Sequence, residues 1–383
     1  MALLIDIFMI ACGSIGLLYL VCIASFSWGW ARLKRYSPDQ KPVPKVAVLI
    51  PARNEENNIE HCIKSILAQD YPEEMVEIIV IDDSSVDGTA KIVETLQKAE
   101  ARLTLVKLPS GVSGKKEAIS AGIHSTDAEL IITTDADCTA GRDWIRTMVA
   151  CCRSASAAMV VGPVAFREES STFAKMQSLE LMALSASSGG SLYYGIPLLC
   201  SGANLCYTKR AFLSSGGYEP ENGPSGDDVH LMYKLDRMRE KIVYLKDKSA
   251  IVYTNPSPDL HSFYLQRKRW ASKPFASLNK AAQYVSLIIF FFNFLLLSGL
   301  FLSGFASIKA GFCLPIFLFC LILLGIKCLI DFLLLFLAAS FFDKKHFLLL
   351  FLPQQLLYMF YVIFTGMMGR RRGYTWKGRK INH

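Results

Sequence analysis

Two carboxylates one residue apart, Asp135 and Asp137 on either side of Ala136, close the apolar run Leu130-Ile131-Ile132-Thr133-Thr134. At the carboxyl end of a strand, such a pair can grip a divalent cation and, through it, a diphosphate. Two more polar clusters take the same position. Asp82-Asp83-Ser84-Ser85-Val86-Asp87-Gly88-Thr89 follows a strand-like run over 78–81, and Pro51-Ala52-Arg53-Asn54-Glu55 closes another over 46–50. Open α/β sheets bind ligands beyond the carboxyl ends of their parallel strands, so three clusters in that position predict one shared site.

The elements needed to position them are legible as an alternation. Strand-like runs at 46–50, 77–81, 103–107, 130–134 and 158–164 are separated by helix-like stretches at 57–69, 89–98, 115–123 and 143–152. That order predicts right-handed βαβ crossovers and a mostly parallel, Rossmann-like α/β sheet. No G-x-G-x-x-G follows the first strand and no Walker A sequence occurs, which disfavours ordinary dinucleotide and P-loop enzymes. The six histidines show no zinc-ligand spacing. Eleven cysteines without a C-x-x-C pair, several of them inside apolar segments, argue against a disulfide framework and for a reducing compartment.

The 383 residues are 52% hydrophobic with a formal charge of +8, and both properties are unevenly spread. Residues 7–31 carry no charged side chain and are long enough to cross a bilayer at about 1.5 Å per residue. Without an early basic region or a convincing cleavage site, they read as a retained anchor. Further apolar segments run over 281–308, 310–342 and 347–369. Basic groups flank them: Arg32, Lys34 and Arg35; residues 267–280; Lys344 and Lys345; then Arg370 to Arg372 with Lys377, Arg379 and Lys380. The positive-inside rule puts all four groups on the cytoplasmic side. Three full crossings after a cytoplasmic domain would leave the basic tail outside, so one segment should not cross. Residues 347–369, interrupted by Pro353-Gln354-Gln355, are expected to be re-entrant or interfacial. The expected organisation is a transmembrane anchor over 1–36, a cytoplasmic α/β domain over 37–275 and a C-terminal helical membrane domain over 276–383. The positive charge then belongs mostly to membrane flanks, and no aromatic-interleaved basic stripe points to nucleic acid.

Six motifs taken in order resemble a known family: Pro51-Ala52-Arg53-Asn54-Glu55, the 82–89 cluster, Gly114-Lys115, Asp135-Ala136-Asp137, Gly226-Asp227-Asp228 and Gln266-Arg267-Lys268-Arg269-Trp270. Together they are similar to membrane-integrated family 2 inverting glycosyltransferases of GT-A fold. The likeness covers about residues 46–270 and continues more loosely into the C-terminal part. It implies that Pro51, Arg53, Glu55, Asp82, Asp83, Lys115 and Asp135 bind a nucleoside diphosphate sugar, with a UDP-sugar favoured. Asp82 and Asp83 would meet base and ribose, Arg53 and the backbone near Pro51 would frame the base, and Lys115 would pair with diphosphate. Lys116 reads as a solvated lysine at a helix start. Asp137 is the implied ligand of Mg²⁺ or Mn²⁺. Asp228 is the implied base and Asp227 its support, although Gly226-Asp227 replaces the Thr-Glu or Gly-Glu of many relatives. Gln266, Arg269 and Trp270 would line the acceptor and diphosphate region, and residues 267–273 could also form a basic belt at the membrane surface. Asn204, in Ser201-Gly202-Ala203-Asn204-Leu205, resembles an acceptor-side G-x-N element.

Phe173, Met176, Leu179 and Ala183 recur near helical spacing, which predicts an amphipathic helix for core packing or for a membrane interface. Lys327 and Asp331, four apart in an apolar run, can neutralise each other on one helix face and fit either a functional or a structural pair. The function expected is transfer of a hexosyl or N-acetylhexosaminyl unit, with inversion, to a lipid or lipid-linked acceptor at the cytoplasmic face of a bacterial inner membrane. A processive polysaccharide synthase of the chitin, hyaluronan or cellulose type is the alternative, since Q-x-x-R-W marks those too. A catalytically silent scaffold or a transporter is disfavoured by intact candidates at Asp83, Asp137, Asp228 and Trp270.

Overall fold

The computed structural model describes residues 2–34, 36, 43–218, 227–276, 279–310, 314–368, 374–376 and 379–381. Arg35, Gly226, Arg370 to Arg372 and Lys377 lie outside the described residues.

The uninterrupted apolar runs form the centre of a seven-stranded sheet because they can be buried on both faces. β1 (Val46–Ala52) pairs in parallel with β2 (Val76–Asp82) on one side and with β4 (Leu130–Thr133) on the other, while β3 (Leu103–Lys107) extends the sheet beyond β2. The connecting helices are α2 (Ile59–Leu67), α3 (Thr89–Gln97) and α4 (Lys115–His124). Beyond β4 the pairing becomes mixed. β5 (Thr139–Ala140) and α5 (Trp144–Ser154) precede a segment expected as one strand over 158–164, which divides into β6 (Met159–Val161) and β7 (Val164–Phe166). β6 joins the large sheet through the antiparallel β8 (Leu205–Thr208) and is flanked by β9 (Ile242–Tyr244). β7 enters a second sheet, ordered β5, β10 (Val252–Thr254), β7.

α6 (Thr172–Tyr193) is the helix expected to be amphipathic, and the structure corrects that. From Phe173 to Leu192 none of its residues is exposed, and the buried ones include Gln177, Ser178, Ser185, Ser188 and Ser191, so no polar face turns to solvent. The cause is enclosure: α6 lies between the sheet domain and two apolar helices, α1 (Ala2–Arg32) and α11 (Leu314–Phe341). Its crossing with α1 is close enough that a Cβ on Gly190 would stand 2.2 Å from the carbonyl oxygen of Phe26. Gly190→Ala should therefore force the two backbones apart and cost about 1–3 kcal/mol or more. A lowered unfolding temperature of the full chain in detergent checks this; an unchanged one would mean that the crossing is not tight. Nearby, the fully buried Trp30 sits edge-on to Tyr244 and Phe341 at 5.6 and 5.4 Å, and Lys246 Nζ donates to its carbonyl at 2.7 Å. The first helix thus shares its core with the sheet domain.

α7 (Lys209–Ser214), α8 (Asp227–Arg237), α9 (Leu260–Ala276), α10 (Lys280–Ala310) and α12 (Phe351–Met368) complete the described helices. Among the described residues, four helical segments are long and apolar enough to cross a membrane: Ile5–Arg32, Lys280–Gly304, Leu314–Phe341 and Lys345–Met367. The interruption expected at Pro353-Gln354-Gln355 is absent. Pro353 occupies the first turn of α12, where a missing N–H costs no helical bond. The two glutamines anchor the helix: Gln354 Nε2 donates to Met176 O at 3.1 Å, and Gln355 bonds both Lys327 and Asp331. Lys327, fully buried, meets Asp331 at 2.6 Å, and Asp331 accepts from Tyr19 at 2.7 Å. The pair is a cross-tie joining α1, α11 and α12, with its charges satisfied inside protein.

Candidate active site

The chain runs from β1 outward to β3, then returns to place β4 on the opposite side of β1. Such a reversal opens a crevice at the carboxyl ends of the two strands. The loops after β1 and β2 line it as a single unit. Asn54 N donates to Ser85 Oγ (3.0 Å), Glu55 N to Thr89 Oγ1 (2.7 Å), Val86 N to Asn54 Oδ1 (2.9 Å) and Gly88 N to Glu56 Oε2 (2.8 Å). Asn54 and Ser84 both adopt φ of 53°, a left-handed geometry that non-glycine residues hold at a cost and that these cross-loop bonds maintain.

Arg53 Nη1 donates to Asp83 O at 2.5 Å and lies 3.8 Å from Asp83 Oδ1; Asp83 Oδ2 accepts from Gly114 N at 3.2 Å. Asp82 takes the Ser85 N–H on both oxygens at 3.3 Å, so the segment is also an Asx-type turn. The Gly114 contact brings the start of α4 to the crevice, and Lys115 Nζ reaches Asp135 Oδ1 at 2.5 Å. Lys116, expected in solvent, is instead buried, because the next position on α4 turns it inward.

Asp137 lies on the same floor. Its Oδ2 accepts from Thr254 Oγ1 of β10 at 3.2 Å, and the buried Cys138 thiol stands 3.5 Å from Oδ1. Donor atoms of Asp135, Asp137 and Cys138 lie within 4.8 Å of one another. Burial first, then the nearby carboxylates of Asp135 and Glu55, push the Asp137 carboxyl above the usual range. A hard divalent cation suits this place: it would meet carboxylate oxygens and offset a local surplus of negative charge.

Asp228, in the first turn of α8, is 6% exposed. Its Oδ2 accepts from Gly202 N at 3.0 Å, and Gly202 O accepts from Thr133 Oγ1 at 2.9 Å. Two bonds therefore tie Asp228 to the end of β4, two residues before Asp135. The side chain of Asp227 lies outside the described residues.

Two further expectations need correction. Asn204 does not face an acceptor. It is fully buried; its Oδ1 accepts from Trp144 Nε1 (2.9 Å), and its Nδ2 donates to Pro163 O (2.7 Å) and Ala250 O (2.8 Å). Those bonds pin α5 and both sheets together beneath the crevice. Arg267 is no part of a solvated belt. It is 1% exposed and forks onto Glu180, with Nη2 to Oε2 at 2.6 Å and Nε to both oxygens at 3.0 and 3.1 Å. Its guanidinium stands 4.2 Å from the Trp270 ring centroid and also bonds Gln266 Oε1. Trp270, Gln266 and Arg269 are all half-buried on α9.

The residues missed were Glu180, Thr254 and Tyr361, whose hydroxyl donates to Glu180 at 3.0 Å. Glu180 carried a signal, since it is the last charged residue of α6 in a stretch otherwise uncharged after Lys175. Thr254 carried none.

Residues 47–212 match the family model for "Glycosyl transferase family 2", and residues 130–364 that for "Glycosyl transferase family group 2". An N-acetylglucosaminyltransferase of Rhizobium meliloti (strain 1021) is 28% identical over 247 residues, 62% of this chain and 57% of that protein. A poly-beta-1,6-N-acetyl-D-glucosamine synthase of Staphylococcus aureus (strain MSSA476) is 25% identical over 257 residues, 65% of this chain and 60% of that protein. The match thus spans somewhat over half the length of these relatives. The mannosyltransferase PcManGT from Pyrobaculum calidifontis, solved with GDP-Man and Mn²⁺, superposes with a TM-score of 0.65 at 18% identity, over 96% of this chain and 100% of that one. The α/β domain has the GT-A-like fold.

Proposed function

The chain belongs to the family 2 glycosyl transferases, and on that premise we propose that it moves a sugar, with inversion and divalent-cation dependence, from a nucleoside diphosphate to a lipid or lipid-linked alcohol at the cytoplasmic membrane face. The observation that carries this is the grouping of Asp82, Asp83, Lys115, Asp135 and Asp137 at one sheet switch point, with Asp228 tethered to the same strand end through Gly202 and Thr133.

Asp82, Asp83 and Arg53 hold the nucleoside, and Lys115 lies where diphosphate charge would collect. Asp137, with Asp135 beside it, would hold Mg²⁺ or Mn²⁺, which supplies Lewis-acid stabilisation of the departing diphosphate. Asp228 takes the proton of the acceptor hydroxyl as its oxygen bonds to the anomeric carbon from the face opposite the diphosphate, whose bond to that carbon breaks. N-acetylglucosamine is the sugar suggested by the relatives' names, and UDP is the carrier favoured by the motif resemblance.

A lipid acceptor is supported by the surroundings of α9. Leu297, Phe360, Tyr361, Ile363, Phe364 and Met367 line an apolar groove of about 470 Å³ between α10 and α12, and Tyr264 of α9 packs on Phe364 at 5.8 Å. Gln354 and Tyr361 bond α12 to Met176 and Glu180 of α6; an interfacial placement of α12 would leave the basic tail cytoplasmic. Processive synthesis is the second reading, favoured by the Staphylococcus aureus relative.

A thermal-shift panel of UDP- and GDP-sugars with Mn²⁺ or Mg²⁺, followed by radiolabelled turnover in vesicles of bacterial polar lipid, tests the proposal. One organic-extractable product is expected. A water-soluble ladder would favour the synthase, and neither nucleotide binding nor product would overturn both.

A further inference from the structure

We infer that Arg267 is a positioning residue that fixes the acceptor-side face of α9, and that it does so through Glu180 and Tyr361. The inference rests on the proposal that Gln266 and Trp270 serve the acceptor. The guanidinium is held on every side. Phe263, one turn before it, and Trp270, one turn after, present ring centroids at 4.3 and 4.2 Å from Cζ. One edge forks onto Glu180, and the remaining nitrogen bonds Gln266 Oε1. Gln266 Oε1 in turn accepts from Ser257 Oγ at 3.4 Å, and Ser257 exchanges two bonds with Gln177 of α6. Glu180 Oε1 also accepts from the Tyr361 hydroxyl, so α6, α9 and α12 meet at one carboxylate.

Stability alone does not account for this arrangement, since a buried ion pair can commonly be replaced by packed apolar residues at little cost. What a planar, forked cation adds is direction. It sets the plane of the Trp270 indole and the rotamer of the Gln266 amide, which a lysine, as a flexible point charge, cannot do together. Because Ser257 lies three residues after Thr254, the partner of Asp137, the same chain of bonds keeps the motif in fixed relation to the donor floor.

The test uses the full chain in vesicles of bacterial polar lipid, with the nucleotide sugar selected by the thermal-shift panel. Arg267→Lys and the double variant Glu180→Leu with Arg267→Met, which leaves no unpaired charge, are compared for transfer and for hydrolysis of donor by water. A misplaced group of about 1 Å costs about 10²-fold in rate. Transfer should fall by about that factor in both variants, with donor hydrolysis within about twofold of the parent and added guanidinium restoring transfer to Arg267→Ala. Retained transfer, or equal loss of transfer and hydrolysis, would overturn the positioning role. Should Trp270→Ala also transfer normally, the acceptor role of the motif itself fails.

Discussion

Asp228→Asn should lower sugar transfer by about 10²–10⁴-fold, the range contributed by a positioned general base, while nucleotide binding stays within a few-fold of the parent. The amide keeps the size of the side chain but cannot take the proton of an incoming hydroxyl. It also keeps only one of the two acceptor oxygens now used by Gly202 N and Val229 N, at 3.0 and 2.9 Å. One buried N–H then faces an NH₂ group, a cost of about 1–3 kcal/mol in stability. The two effects separate experimentally. A modest fall in unfolding temperature with donor affinity intact assigns the rate loss to chemistry, whereas transfer within about threefold of the parent would remove Asp228 from the reaction. Asp228→Ala would confuse the two by abolishing both acceptors.

What made Asp228 legible was its order among other motifs, not its surroundings. The same is true of much of this chain. β1, β2 and β4 could be read because strands buried on both faces need long apolar runs, and their polar ends then stand out. The division of 158–164 into two strands was not legible. The residues of both halves are equally apolar, and only the sheets they join, one with β8 and one with β10, make them different. Asn204 misled for a related reason: an amide beside a glycine fits a ligand site and a buried brace equally well, and the choice depends on Trp144, sixty positions away. Arg267 sits in a basic run at a membrane flank, so its sequence neighbours suggested solvent. Its partner Glu180 lies on another helix, and no local pattern links the two.

Asp137→Asn is expected to act in opposite directions on stability and on turnover. Burial and the carboxylates of Asp135 and Glu55 penalise a charge on Asp137, which is why its carboxyl is pushed upward. Removing that charge relieves repulsion, so the cation-free variant should unfold at the same temperature as the parent or higher. The upward shift that Mn²⁺ gives the parent should disappear, because the cation loses its main carboxylate. A bound cation contributes several kcal/mol of stabilisation to a departing diphosphate, and each 1.36 kcal/mol is tenfold in rate, so transfer should fall by about 10²–10⁴-fold. Chelation should reduce the parent to a similar residual rate, with Mn²⁺ or Mg²⁺ restoring the parent and not the variant. Asp135→Asn provides the contrast: it breaks the 2.5 Å pair with Lys115 at a half-exposed position, where ion pairs add about 0–1 kcal/mol. Its stability should change little and some cation response should remain. A destabilised Asp137→Asn that still answers to Mn²⁺ would mean that the carboxylate is a structural acceptor for Thr254, and that the donor's cation is held elsewhere.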